Sequence, residues 1–268
     1  MKNDLIQKIK WRILLLLHSI KRKLFDRKKD WIMGRVACMG QDVLKLIEVE
    51  TSIINVQKGR IDYLNKVSKS SKAKTRIDQV VSYIERSDIR SLVLQQQLIY
   101  GIKKKAPIAL YMDSYSELTD QEFCHQKEKW SFYANYSDIN HTPKFKKIFK
   151  SKGLLDVDNL FEEYYIFFSS FRKKYGSVPI LFLHFPVKLD NREKFKTRYS
   201  KIKEAIDKVK IEFQPFYSFE VDENIVDWPE VRIPGIESFP YHYNKATYEN
   251  FSKQIQLSRI FKDYTLNR

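Results

Sequence analysis

At 268 residues, 43% of them hydrophobic, the chain is long enough to bury one sizeable α/β core and too apolar to remain disordered. Seven glycines and no GxGxxG or Walker pattern argue against a glycine-rich nucleotide loop; two cysteines, Cys38 and Cys124, without CxxC or His/Cys ligand spacing argue against structural zinc. A formal charge of +16 calls for an anionic counterpart: nucleic acid, an anionic membrane or an anionic polysaccharide.

In residues 1–30, Leu5, Ile9, Ile13, Leu16, Leu17, Ile20 and Leu24 recur at three- and four-residue steps, the spacing of one helix face. Ten Lys/Arg against three Asp make this segment strongly positive. It is therefore expected to form a basic amphipathic helix lying in the plane of an anionic membrane surface. Its apolar run, residues 13–17, is too short to cross a bilayer, and no small-residue cleavage site follows.

Residues 31–268 are read as one domain. Residues 35–40 form a first strand, with Gln41 and Asp42 at its end, and residues 51–56 a second. Residues 77–86 have helical spacing, and residues 89–94 read as a third strand ending in Gln95, Gln96 and Gln97. A short apolar run at 108–112 predicts a buried strand that stops at Asp113 and Ser114; a polar loop with Ser116, Glu117, Thr119 and Asp120 follows. The aromatic and polar stretch 130–143 has no steady period and predicts a long loop carrying Asn135, Asp138 and His141. A short helix at 145–149 is followed by a strong one from Asp156 or Asp158 to about Tyr175, closed by Gly176. Residues 178–186 are apolar almost throughout and predict a central strand, with His184 near its carboxyl end. Asp190 to Glu193 matches a capping box opening a helix to about Lys210; a strand at 211–219 and a helix from about Lys245 complete the chain. Strands alternating with helices, without repeats, predict a single doubly wound, mainly parallel sheet.

In open α/β sheets ligands sit just beyond the carboxyl ends of strands, which makes Asp113 and Ser114 candidates for chemistry. The competing reading is that they only cap the next turn. A serine hydroxyl needs a base within hydrogen-bond reach, and an Asn side chain can stabilise an oxyanion. Ser114, Asn135 and the late His242 are thus the minimum set for acyl transfer. His184, at a buried strand end, reads equally as a hydrogen-bonded structural residue.

The phrase Met112-Asp-Ser-Tyr-Ser-Glu117, following a strand, resembles the nucleophile block of the SGNH (GDSL-like) hydrolase superfamily. Pro240-Tyr-His242 sits where that family has its histidine, just before a C-terminal helix. The resemblance is spread over roughly residues 35–260 and implies a flavodoxin-like three-layer sandwich with esterase or O-acyltransferase chemistry. Ser114 would be the nucleophile, His242 the base, Asp113 their neighbouring acid and Asn135 an oxyanion donor. Gln41, Glu117 and His184 complete the candidate substrate-binding set. By the family's habits the substrate is a bacterial surface polysaccharide or its lipid-linked precursor, met at the cytoplasmic face of the membrane. No cofactor or metal is implied.

The motifs also depart from the family. Met112 replaces its glycine, and Phe239 stands where an acid is usual, with Glu237 nearby. A second reading therefore keeps the fold as a non-catalytic binding or assembly protein. Nucleic acid is invited by the charge, yet the sequence contains no recognised nucleic-acid-binding module.

Overall fold

Apolar runs of four or five residues become strands here where both of their faces are covered. A computed structural model describes residues 30–98, 105–231 and 240–264, together with isolated helical positions between 6 and 17. In chain order the elements are β1 (Trp31–Arg35), α1 (Cys38–Ile47), β2 (Ser52–Asn55), α2 (Ile61–Lys69), α3 (Ile77–Val80), α4 (Ser87–Leu98), β3 (Ala109–Asp113), α5 (Tyr115–Thr119) and β4 (Asp120–His125). They continue with β5 (Ser131–Asn135), α6 (Pro143–Ile148), β6 (Phe149–Gly153), α7 (Leu160–Tyr175), β7 (Ile180–Leu183), α8 (Glu193–Glu212), β8 (Phe216–Phe219) and α9 (Lys245–Leu257).

The chain divides into two compact units. One comprises residues 30–54, 107–118 and 156–268 and holds a five-stranded sheet of order β2-β1-β3-β7-β8. Its pairs β1–β3, β3–β7 and β7–β8 are parallel. The two middle strands β3 and β7 are buried along their whole length, as their unbroken apolar character requires. Helices cover both faces. Phe182 of β7 and Phe216 of β8 meet Tyr164 and Phe168 of α7 at ring separations of 5.8 and 5.3 Å. Met112 is in register with Phe182, so Tyr111 faces the other way, where its hydroxyl donates to the Gly40 carbonyl of α1. Gly40 is required by that packing, since a Cβ there would lie 2.6 Å from Val36 Cβ. The mainly parallel α/β class read from the sequence is the class observed.

The other unit includes residues 55–106 and 119–155. Its antiparallel sheet, of order β5-β4-β6, buries Phe123, Phe132, Phe145 and Phe149 against Ile84, Val93 and their neighbours. The single sheet expected from the sequence is thus accompanied by a second one, and the expected loop at 130–143 contains β5. Its alternation is masked because Phe132, Tyr133 and Ala134 are all buried, leaving no polar face to mark the period.

Three further expectations are corrected. The first strand ends at Arg35, and Cys38 to Gly40 already belong to α1. The run 89–94 is helical: Ile89, Val93 and Gln96 fall on one face of α4, a spacing of i, i+4 and i+7 that a short apolar run conceals. The capping box at Asp190 does not form; Arg192 occupies the N-cap of α8 without a side-chain cap, and Asp190 instead binds the Arg192 backbone N–H and guanidinium.

Most of residues 1–30 lies outside the described residues. Within that segment, Ile6, Ile9, Ile13, Leu16 and Leu17 are helical and 48–61% exposed. Among the described residues no helix is long and apolar enough to cross a membrane.

Candidate functional site

The order of the five strands reverses between β1 and β3, so a crevice at their carboxyl ends is where this architecture would take a ligand. Arg35 ends β1, Asp113 ends β3, and Ser114 and Glu117 follow directly. All four are buried. Arg35 grips both Glu117 carboxylate oxygens from Nη1 at 2.6 and 2.7 Å, and its Nη2 donates to the Asp113 carbonyl at 2.6 Å. The Tyr164 hydroxyl of α7 donates to Glu117 Oε2 at 3.1 Å, and Arg198 Nε of α8 donates to the Glu117 carbonyl. Burial pulls the Arg35 guanidinium down, but Glu117, Tyr164 and Asp113 outweigh it and hold the charge firmly.

Asp113 is used twice. Its Oδ2 accepts the Ala37 N–H at 2.6 Å and its Oδ1 the Tyr115 N–H at 3.1 Å, which joins the turn after β1 to the turn after β3. Burial pushes the carboxyl up to about 7, against the pull of Arg35 and the two amides. The Ser114 hydroxyl has no exposed surface and accepts the Phe185 N–H at 2.8 Å, while the Ser114 N–H donates to the Leu183 carbonyl. Ser114 therefore stitches the end of β3 to the end of β7. No imidazole among the described residues is within hydrogen-bond distance of it.

His242 is half-buried between the buried Tyr241 and Tyr243, whose hydroxyls donate to Asp190 at 2.6 Å and to the Pro186 carbonyl at 2.7 Å. Glu237 and Phe239 lie outside the described residues. His184 pairs its Nε2 with Ser218 Oγ at 2.8 Å, and its Nδ1 is buried without a hydrogen-bond partner. Burial lowers this imidazole to about 4, so it is neutral at physiological pH. Gln41 lies within α1, its N–H bonded to the Ala37 carbonyl. Asn135 belongs to the other unit, where its carboxamide oxygen accepts the Ser137 N–H and hydroxyl at the start of a short 3-10 turn. The structure brings Asp113, Ser114 and Glu117 together; it does not bring an imidazole to Ser114.

The second unit has its own buried charges. Lys58 lies 3.1 Å from Asp120 and 3.2 Å from Asp138. Arg60 clamps Asp62 through Nε and Nη2, and Lys66 bridges Asp62 and Glu122. The carboxamides of Gln95, Gln96 and Gln97 are all engaged within the protein, Gln96 also accepting the Thr75 hydroxyl at 3.2 Å. Gln96 borders β5 like a neighbouring strand, donating to the Tyr133 carbonyl at 2.5 Å and accepting its N–H at 3.0 Å. Gln95 and Gln97 accept the N–H groups of Gln57 and Ile77.

Sequence reasoning missed Arg35, Tyr164 and Arg198 as partners of Glu117, and Lys58 with Arg60 as buried cations. One signal was available: Arg35 falls between the apolar residues 31–33 and Val36-Ala37, where a solvated charge is out of place. No group of His, Cys, Asp and Glu among the described residues is arranged to hold a metal ion. Comparisons with protein-family models, curated proteins and solved structures give no significant match.

Proposed function

We propose that this chain is an SGNH-like binding or assembly protein of bacterial surface-polysaccharide biosynthesis, holding a carbohydrate or lipid-linked glycan and performing no serine chemistry at residue 114. The strand order β2-β1-β3-β7-β8, with its reversal between β1 and β3, supports a flavodoxin-like three-layer sandwich and with it the SGNH-like reading of the phrase around Asp113. The observation that carries the non-catalytic reading is the burial of the Ser114 hydroxyl on the Phe185 amide, with no base in contact. A nucleophile has to meet both its base and its substrate. The crevice at the strand reversal is, moreover, filled by the protein's own Arg35, Glu117 and Asp113. Contact with the inner face of an anionic membrane through residues 1–30 is part of the proposal, supported by the exposed Ile6, Ile9, Ile13, Leu16 and Leu17 and by the ten Lys/Arg in the segment's sequence.

A fluorophosphonate probe tests the reading, with mass spectrometry to locate any adduct and a panel of acyl esters to measure turnover. The expected result is no adduct at Ser114 and no hydrolysis sensitive to Ser114→Ala. An adduct at Ser114, or at Ser218 beside His184, would restore a serine enzyme.

A further inference from the structure

We propose that α6 and β6 form the glycan-contacting surface of this protein: an anionic polysaccharide runs along their lysines, with one sugar ring on the exposed face of Tyr136. The inference rests on the glycan reading above and names the surface that would serve it.

Residues 143–153 contain five lysines, Lys144, Lys146, Lys147, Lys150 and Lys152, and no acid. All five are exposed. They are not displayed on a loose loop. Phe145 and Phe149 alternate with them and stack on each other at 5.2 Å, and both are buried among Phe123 and Phe132. The turn between β4 and β5 adds the exposed Lys127 and Lys129. It is fastened beside α6 by Gln126, whose N–H donates to the Ile148 carbonyl and whose Nε2 donates to the Lys146 carbonyl.

These seven cations have no carboxylate partner among the described residues, because the acids of the same stretch are committed elsewhere. Asp120 and Asp138 hold Lys58, Glu122 holds Lys66, and Glu128 pairs with Arg76. Lys144 and Lys147 stand three apart on α6 and repel, and an external anion answering the row would relieve that repulsion. Lysines on an edge strand also discourage pairing with another chain. That accounts for Lys150 and Lys152, and leaves the three on α6 unexplained.

Beside this row Tyr136 is 48% exposed, the one exposed large hydrophobic residue among the described residues 119–155. It is held flat, stacked on His141 at 3.9 Å and 19°, and His141 in turn meets Phe145 edge-on at 5.4 Å. A rigid aromatic plate suits the C–H face of a pyranose ring, while ammonium groups answer carboxylate or phosphate substituents. A membrane would be better served by insertable apolar side chains, but Phe145 and Phe149 are buried. Single-stranded nucleic acid favours successive stacking platforms, and here there is one.

The test is binding of the full chain to polygalacturonic acid, with neutral dextran, phosphatidylglycerol vesicles and a single-stranded oligonucleotide as comparisons. Polygalacturonate is expected to bind and dextran not. The triple variant Lys144→Glu, Lys147→Glu, Lys150→Glu should weaken binding about tenfold or more. Tyr136→Ala should weaken it severalfold, an effect that survives salt concentrations at which the lysine effect is screened. Both variants should keep the parent's circular dichroism spectrum: the lysine changes relieve repulsion among exposed side chains, and Tyr136→Ala gives up only the ring's stacking. Equal binding of dextran, indifference of polygalacturonate to both variants, or tighter lysine-dependent binding of oligonucleotide or vesicles would overturn the assignment. A fluorophosphonate adduct at Ser114 would sink the binding-protein reading while leaving this surface standing. Loss of the lysine and Tyr136 effects with Ser114 unlabelled would sink this surface alone.

Discussion

The Asp113 carboxylate accepts the Ala37 N–H at 2.6 Å, so the last residue of β3 holds the turn that leaves β1. The same carboxyl is raised by burial to about 7 from an ordinary value of 3.8. A carboxyl raised on folding favours the protonated form in the native state. Its stabilising contribution is whole below 3.8 and is lost as pH rises through about 7. Thermal unfolding followed between pH 5 and pH 9 should therefore show a midpoint that falls up to about pH 7 and levels off above it. Asp113→Asn should flatten that profile, though it lowers the midpoint overall by losing one of two acceptors for backbone N–H groups, at about 1–3 kcal/mol. An unchanged slope in the variant would assign the pH dependence to another group.

Arg35 and Glu117 form a buried pair at 2.6 Å, with side chains 3% and 0% exposed. Removing either partner leaves a charge without its counterion in a dry site. Glu117→Ala or Arg35→Ala should each cost about 3–5 kcal/mol in urea unfolding. Replacing both by Met and Leu should cost much less than the two losses together, because no uncompensated charge remains. Simple additivity would show that the pair does not act as a unit.

Ser114→Ala addresses the same region from the backbone side. It deletes the acceptor of the Phe185 N–H and leaves that amide buried and unmatched. Equilibrium unfolding should report a loss of about 1–3 kcal/mol, and Ser114→Cys should recover little of it because sulfur is a weak acceptor. A neutral effect would mean that water reaches the site.

In the antiparallel unit, burial pulls the Lys58 ammonium down while Asp120 and Asp138 outweigh it and keep it above its ordinary value. Lys58→Met should destabilise by about 3–5 kcal/mol, since it takes away the cation those two carboxylates share. Adding Asp120→Asn to that background should restore part of the loss. Hydrogen exchange across β4 and β5 gives the residue-level readout.

The helical positions Ile6, Ile9, Ile13, Leu16 and Leu17 are each exposed apolar side chains. Cosedimentation with phosphatidylglycerol vesicles should drop about tenfold or more on Ile9→Asp with Ile13→Asp, and should fall with added salt. Vesicle binding that persists in the double variant would move the contact away from this segment.

Much of the parallel sheet was legible because its signals are short-range. The strand at 108–112, the strand around Ile180 and the helix closed by Gly176 announce themselves by apolar continuity or by a residue at positive φ, here 68°. The helix expected from about Lys245 is α9, and its cap is Asn244, whose side chain accepts the Thr247 N–H. What escaped was long-range. Nothing local tells that Phe132, Tyr133 and Ala134 are covered on both faces, or that Ile89 and Val93 belong to a helix. The candidate site was legible as a position, the end of β3, but not as a state. Whether the Ser114 hydroxyl faces a cleft or the Phe185 amide depends on a residue seventy-one places further along, and no motif around Ser114 encodes it.

Beyond residue 54 the antiparallel unit takes two excursions of the chain, one leaving after β2 and one after β3, separated by the strand 109–113 that belongs to the other sheet. Neither unit is therefore a continuous piece of polypeptide. A ribosome that has released residues up to 155 has delivered the whole β5-β4-β6 sheet but only three strands of the parallel one, whose central β7 is still unmade. A nascent chain halted there should leave β3 without its β7 neighbour, making this the stage of synthesis most exposed to mispairing and most in need of a chaperone.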